Sequence, residues 1–231
     1  MTAVEPRTAE ATTRTDTVEG RARWPLYGVA AGLLGLAATL FTDPRMGIPE
    51  RDAVDASVLS DLSRGLAHVG LVAGFLTVAL LLVLAAAWRR QVEPRVPGST
   101  AAHVVSGALV ASAAGLTYGY AWKGALAIYL PTGSDAGPYG DDGLFVYFML
   151  NDFGPYIGWL GVVVAAGAVA WMGLRERTVS RWIGVLSLGP VVAVTGLAGA
   201  TGLPGFQGLA GPAWLLAACT GLAAGRSTIV R

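Results

Sequence analysis

Residues 66–88, LAHVGLVAGFLTVALLLVLAAAW, decide the fold, and Arg89 and Arg90 follow at once. These 23 residues contain no Asp, Glu, Lys or Arg. At about 1.5 Å of rise per residue, such a helix covers the ~30 Å hydrocarbon thickness of a bilayer. A helix apolar on every side leaves no face for water, so its solvent is lipid or protein. Five further segments share this character, at 24–42, 101–121 or longer, 154–173, 182–201 and 208–225. The expected fold is all-α, a polytopic transmembrane helical bundle of six spans.

The composition agrees. The 231-residue chain is 54% hydrophobic and 13% charged, against about 25% charged in soluble domains. A net charge of +1 and the lack of a basic stripe exclude a nucleic-acid partner. With one cysteine, Cys219, no internal disulfide and no cysteine-based metal cage can form.

Charge then orients the bundle. Of 16 basic residues, 12 fall in alternate connections: Arg7, Arg14, Arg21, Arg23, then Arg89, Arg90, Arg95, then Arg175, Arg177, Arg181, then Arg226 and Arg231. The opposite side has Arg45, Arg51 and Arg64, together with nine of the 15 acids. The positive-inside bias places both termini in the cytoplasm. Residues 1–23 are expected to be a disordered cytoplasmic tail and 226–231 a short cytoplasmic tail, flanking one membrane domain over 24–225. The first apolar run starts too late for an ordinary signal peptide, so it is expected to be retained. In composition and topology the chain resembles the small polytopic membrane proteins of high-GC bacteria, with 15 arginines to one lysine. That resemblance implies a bacterial cytoplasmic membrane location. It carries no motif and transfers no site residue.

Small residues at four-residue spacing mark helix contacts: Gly28 and Gly32, Gly70 and Gly74, Gly115 and Gly119, Gly154 and Gly158, Gly221 and Gly225. Between the first two spans, Val54, Val58 and Leu62 form a helical apolar stripe, expected as a short helix at the outer surface. The glycines at 196, 199, 202, 205, 208 and 211 keep a period of three. The run is too short and too poor in proline for collagen, and is expected to be a close-packed hairpin or a broken helix.

The candidate site centres on Lys123. Starting from Ala102, it lies about 31 Å along its helix, at the outer edge of the hydrocarbon. Tyr118, Tyr120 and Trp122 surround it. The simpler expectation is an anchor whose ammonium reaches the headgroups. The sharper one pairs Lys123 with Asp152, beside Asn151, ahead of a helix whose first turn would hold Pro155. The candidate ligand-binding set is therefore Lys123, Asp152, Asn151, Tyr120, Trp122 and Tyr156. Residues 118–159 hold eleven of the 20 aromatics. The apolar runs at 124–130 and 144–150 either lengthen the third and fourth spans or fold back as an outer cap.

No catalytic or metal-binding set is expected. Motifs of nucleophile-elbow, zincin or phosphate-loop type are absent. His68 and His103 begin spans on opposite sides, and Asp135, Asp141 and Asp142 do not match a calcium loop. No cofactor is implied. The leading expectation is a non-catalytic protein that binds or passes a small amphiphile or assists a membrane complex. Its partners would be membrane lipids, a second copy or a partner complex. The alternatives are the permease subunit of an ATP-driven exporter and a membrane-embedded enzyme using Asp152 and Lys123 as acid–base partners on a lipid or isoprenoid. The topology is testable in a Cys219→Ala background. A membrane-impermeant maleimide should label Ser134→Cys in intact cells and Ser227→Cys only after permeabilisation; the reverse pattern overturns the orientation.

Overall fold

The computed structural model describes residues 22–44, 54–225 and 229. Most of the proposed N-terminal tail, and all of the C-terminal one except Ile229, lie outside these residues. The described chain is all-helical. α1 (Pro25–Leu36) continues through a π-helical turn at Ala37–Phe41. A 3-10 helix at Ala56–Asp61 precedes α2 (Arg64–Gln91) and α3 (Thr100–Tyr129). α4 (Asp141–Ile157) runs into α5 (Leu160–Trp171), which ends in a π-helical turn at Met172–Glu176. α6 (Arg181–Thr201) and α7 (Gln207–Ala224) complete the bundle. Four helical stretches are long and apolar enough to cross a membrane: Arg64–Arg95, Thr100–Tyr129, Asp141–Glu176 and Arg181–Thr201. Pro25–Phe41 is a shorter apolar helix and packs along α7.

Polarity is inverted relative to a protein that folds in water. Phe41, Val69, Phe75, Leu76, Val164, Val185 and Val192 are exposed, whereas Thr39, Ser106, Ser112, Lys123, Asn151, Ser187 and Gln207 are buried. Water would expel the first set and draw out the second. Lipid reverses both preferences, and interhelical hydrogen bonds then hold the bundle together. Trp214 Nε1 donates to Ser187 Oγ at 2.9 Å, and Trp88 Nε1 donates to the Ala102 carbonyl at 2.9 Å.

Local sequence explains most helix ends. The side chains of Ser63 and Ser99 cap α2 and α3 by accepting from Leu66 N and Ala102 N. Gly202, at φ 72, stops α6 in the left-handed region. Gly196 and Gly199 are ordinary α6 residues, and Gly208 and Gly211 pack on Tyr156 and Trp159. The period-three glycines thus span two helices and their connection, rather than forming one repeated element.

The helix that carries the fourth expected span starts well before that span. α4 begins at Asp141, not near Gly154, with Asp141 and Asp142 in its first turn. Acids there favour the helix N-terminus electrostatically. Pro155 lies inside α4, and the helix breaks between Ile157 and Leu160. Proline removes one backbone donor and crowds the carbonyl four residues earlier. Ser112 of α3 repairs the break. Its hydroxyl donates to the Gly158 carbonyl at 2.7 Å and accepts from Val162 N at 2.9 Å.

The question of span extension or outer cap resolves as both. α3 continues to Tyr129, and its 30 residues span about 45 Å. Near this end of α3, Leu126, Ala127, Leu130, Leu144 and Phe148 pack with Val58 and Leu59 of the 3-10 helix. The expected surface helix is present in this shorter form, packed on the hairpin as a roof.

At the other end of the bundle, Trp24 meets Trp88 edge-on at 5.9 Å. Ser99 Oγ donates to Glu176 Oε2 at 2.6 Å, and Arg95 donates to the Ile229 carbonyl at 2.6 Å. The start of α1, the α2–α3 and α5–α6 connections and Ile229 therefore share one end.

Replacing Ser112 by Ala should lower unfolding stability in detergent by about 1–2 kcal/mol. Thr117→Ala, which removes only a bond within its own helix to Ala113 O, should cost less. Equal losses would show that Ser112 does not hold the break.

Candidate functional site

Lys123 does not reach the headgroups. It is 1% exposed, and its Nζ donates to the Thr42 carbonyl at 3.0 Å. Glycine makes room for it: a Cβ on Gly70 would lie 2.8 Å from Lys123 Cδ and 2.5 Å from Thr42 Oγ1. The anchor expectation fails because distance along a helix says nothing of direction around it. Tyr118 is the residue that faces out, at 72% exposure.

The acceptor arises from the π-helical turn that ends α1. One extra residue in that turn lets Thr42 N bond Ala37 O, while Thr42 Oγ1 donates to Ala38 O at 2.9 Å. Asp43 follows, itself buried, and its carboxylate supplies the charge that opposes Lys123. Tyr156 of α4 donates to Asp43 Oδ2 at 3.2 Å.

A second polar knot lies one turn deeper. Thr39 Oγ1 accepts from Trp159 Nε1 at 3.1 Å and shares a 2.8 Å bond with Tyr120 OH. Tyr120 and Trp159 are both fully buried. The Tyr120 ring fits because Gly74 of α2 presents no side chain to it, and Gly35 of α1 does the same for Trp159. Thus α1, α2, α3 and the α4–α5 break converge on two threonines at the end of α1.

Asn151 lies on α4, at a similar level. The antiparallel register of α3 and α4 is fixed where Gly119 meets Gly154 and Gly115 meets Gly158. One turn outward, α3 presents Lys123 and α4 presents Asn151. Asn151 is 1% exposed, and neither Oδ1 nor Nδ2 has a hydrogen-bond partner.

Lys123 has other partners than the proposed Asp152. The contacts of Lys123 run to Thr42 and to the charge of Asp43; Asp152 is not among them. Asp152 is half-buried inside α4, about 100° around the helix from Asn151, so it does not precede a helix. Trp122 is half-buried and stacks on Tyr147 at 6.1 Å. Tyr147 joins Tyr129 and Tyr139 in one outer aromatic cluster with centroid separations of 4.8–5.7 Å. Of the six candidates, Lys123, Tyr120, Asn151 and Tyr156 contribute to the buried region. Trp122 lies at its outer margin, and Asp152 lies beside it.

Thr39, Thr42, Asp43 and Trp159 were not singled out by sequence. Their available signal was the polar step Thr42-Asp43-Pro44 directly after an apolar run, together with Gly70 and Gly74 at the same four-residue spacing as a facing pair. On the lipid side of the Gly119–Gly154 contact, a groove of about 460 Å³ runs between α3 and α4–α5. Ala111, Gly115, Gly119, Gly154, Gly158 and Val164 line it, with Tyr118 and Trp122 at the outer end. Among the described residues, no group of three His, Cys, Asp or Glu side chains is placed to hold a metal ion. Comparison with protein-family models, curated proteins and solved structures gives no match.

Exchanging charges tests the electrostatics. Lys123→Met keeps the volume but leaves the buried Asp43 carboxylate and the Thr42 carbonyl without the ammonium, so it should cost on the order of 1–3 kcal/mol. Asp43→Asn should cost on the order of 2–3 kcal/mol, because the ammonium then lacks its opposing charge. The double variant should be more stable than Asp43→Asn alone. Simple additivity in a thermal or denaturant unfolding series would rule out the coupling.

Proposed function

We propose that this is a six-span integral protein of the bacterial cytoplasmic membrane that binds a small amphiphile without transforming it. Six crossings are supported by the shared end of the bundle. Trp24, the α2–α3 connection, the α5–α6 connection and Ile229 meet there, as an even number of crossings requires. Pro25–Phe41 and α7 are the two shorter members and pack on one another. The basic residues Arg89, Arg90, Arg95, Arg175, Arg177 and Arg181 cluster in the connections at this end, which makes it the cytoplasmic one.

The observation that carries the ligand reading is the groove between α3 and α4–α5. Its volume of about 460 Å³ falls in the range that small-molecule sites occupy, about 300–1,000 Å³. Its floor is glycine backbone, which lets a chain lie close to the helices and gain dispersion contacts. Tyr118 and Trp122 stand where hydrocarbon gives way to headgroups, and such rings suit an amphiphile's junction between tail and head. An apolar tail in the groove thus has its polar end at the level of the buried site.

Native mass spectrometry of the protein released from membranes tests this reading. The wild type should retain a lipid-like molecule. Ala111→Trp, which fills the groove from an exposed position, should lose it while keeping its thermal stability. Equal retention by the two proteins, or none by the wild type, overturns the proposal.

A further inference from the structure

We infer that Lys123 and Asn151 form a binding site for a zwitterionic group, one that carries both an anionic oxygen and an ammonium with N–H donors. This rests on the amphiphile reading for its most direct source, the headgroup of a lipid held in the groove.

The case begins with Asn151. A buried side-chain amide with no partner costs on the order of 1–3 kcal/mol, and native proteins seldom keep one without a use. Here both ends are unpartnered: Oδ1, an acceptor, and Nδ2, a donor of two hydrogens. The backbone adds a third group. Pro155 stands four residues later inside the same helix, so the Asn151 carbonyl receives no i→i+4 bond. One residue thus offers two acceptors and a two-proton donor in the same place.

Lys123 supplies the charge. Its ammonium has three N–H donors; one goes to the Thr42 carbonyl, and no second acceptor is found among the described residues. The Gly119–Gly154 crossing closes the region below, and Leu126 and Phe148 pack above it with Val58 and Leu59. At this level Lys123 and Nδ2 bring donors, and Oδ1 and the Asn151 carbonyl bring acceptors. An anion alone would leave the acceptors unmet, and a cation alone would face the ammonium. The matching ligand is neutral overall and carries both ends, its anionic oxygen on Lys123 and Nδ2 and its ammonium on Oδ1 and the Asn151 carbonyl. Entry requires the packed Val58–Leu59 turn to shift.

The test reconstitutes the full chain in nanodiscs of phosphatidylethanolamine, phosphatidylcholine and phosphatidylglycerol in equal amounts, and reads retained lipid by native mass spectrometry. Soluble phosphoethanolamine is tested in parallel by thermal shift. Phosphatidylcholine lacks N–H donors, and phosphatidylglycerol carries net charge. The wild type should prefer phosphatidylethanolamine by about tenfold, the equivalent of one charge-assisted hydrogen bond. Asn151→Leu should abolish that preference while its melting temperature holds or rises. Lys123→Met should abolish it as well, with some loss of melting temperature because Asp43 and the Thr42 carbonyl lose their partner.

Stabilisation by phosphoethanolamine alone, lost in Asn151→Leu, supports the site and assigns it to a free solute. Retention of lipid without headgroup preference, or a preference unchanged in Asn151→Leu, overturns this inference. If that lipid is still lost in Ala111→Trp, the amphiphile reading stands without it. A wild type that retains no lipid and does not respond to phosphoethanolamine overturns both.

Discussion

The buried ammonium of Lys123 sets the terms for the outer half of this protein. A charge taken out of water needs donors and acceptors arranged around it, or it stays at the surface. Here three features meet that need, two from the end of α1 and one from α2, with α4 bracing them. α1 ends in a π-helical turn, which brings the Thr42 carbonyl within 3.0 Å of Nζ. α2 carries glycine at position 70, where any side chain would collide with the lysine stem. Asp43 adds opposing charge and is itself held by Tyr156 of α4. Removing any of these leaves the others without a purpose, so the lysine organises the ends of helices that are distant in sequence.

The rest of the bundle follows a simpler rule. Lipid does not drive helices together as water does, so contact depends on close backbone approach and internal hydrogen bonds. Gly119 against Gly154 supplies the first, and the knot of Thr39, Tyr120 and Trp159 the second. Ser112 shows how one hydroxyl lets a membrane helix break, because it bridges the Gly158 carbonyl and the Val162 amide. The helix can then change direction at Gly158 without leaving those two groups bare in hydrocarbon.

Hydropathy made the apolar helices legible in the sequence, because bulk transfer energy depends on composition alone. Glycine spacing made the contacts legible for the same kind of reason: Gly70, Gly74, Gly119 and Gly154 all sit at close approaches. Two matters stayed hidden. Counting residues gave the depth of Lys123 but not its azimuth, and azimuth decided whether it met headgroups or Thr42. The pattern Asn151-Asp152 before Pro155 also reads like the start of a helix, because polar residues followed by proline usually mark one. In this chain the same residues lie inside a helix that began at Asp141. The serine that bridges the later break is on another helix, 46 positions before Gly158, where local patterns cannot reach it.

The groove and the buried site share one structural element. Gly119 and Gly154 form the floor of the groove, and one turn outward the same two helices carry Lys123 and Asn151. A Cβ on Gly119 would sit 2.5 Å from the Gly154 carbonyl oxygen and 2.8 Å from Pro155 N. Backbone cannot rotate away as a side-chain tip can, so the helices would have to separate. That displacement would raise the groove floor and widen the spacing between Lys123 and Asn151 together. The two features are therefore coupled through rigid backbone rather than through a chain of side chains. A tail lying on one face and a polar end on the other would each depend on the same closeness of α3 and α4.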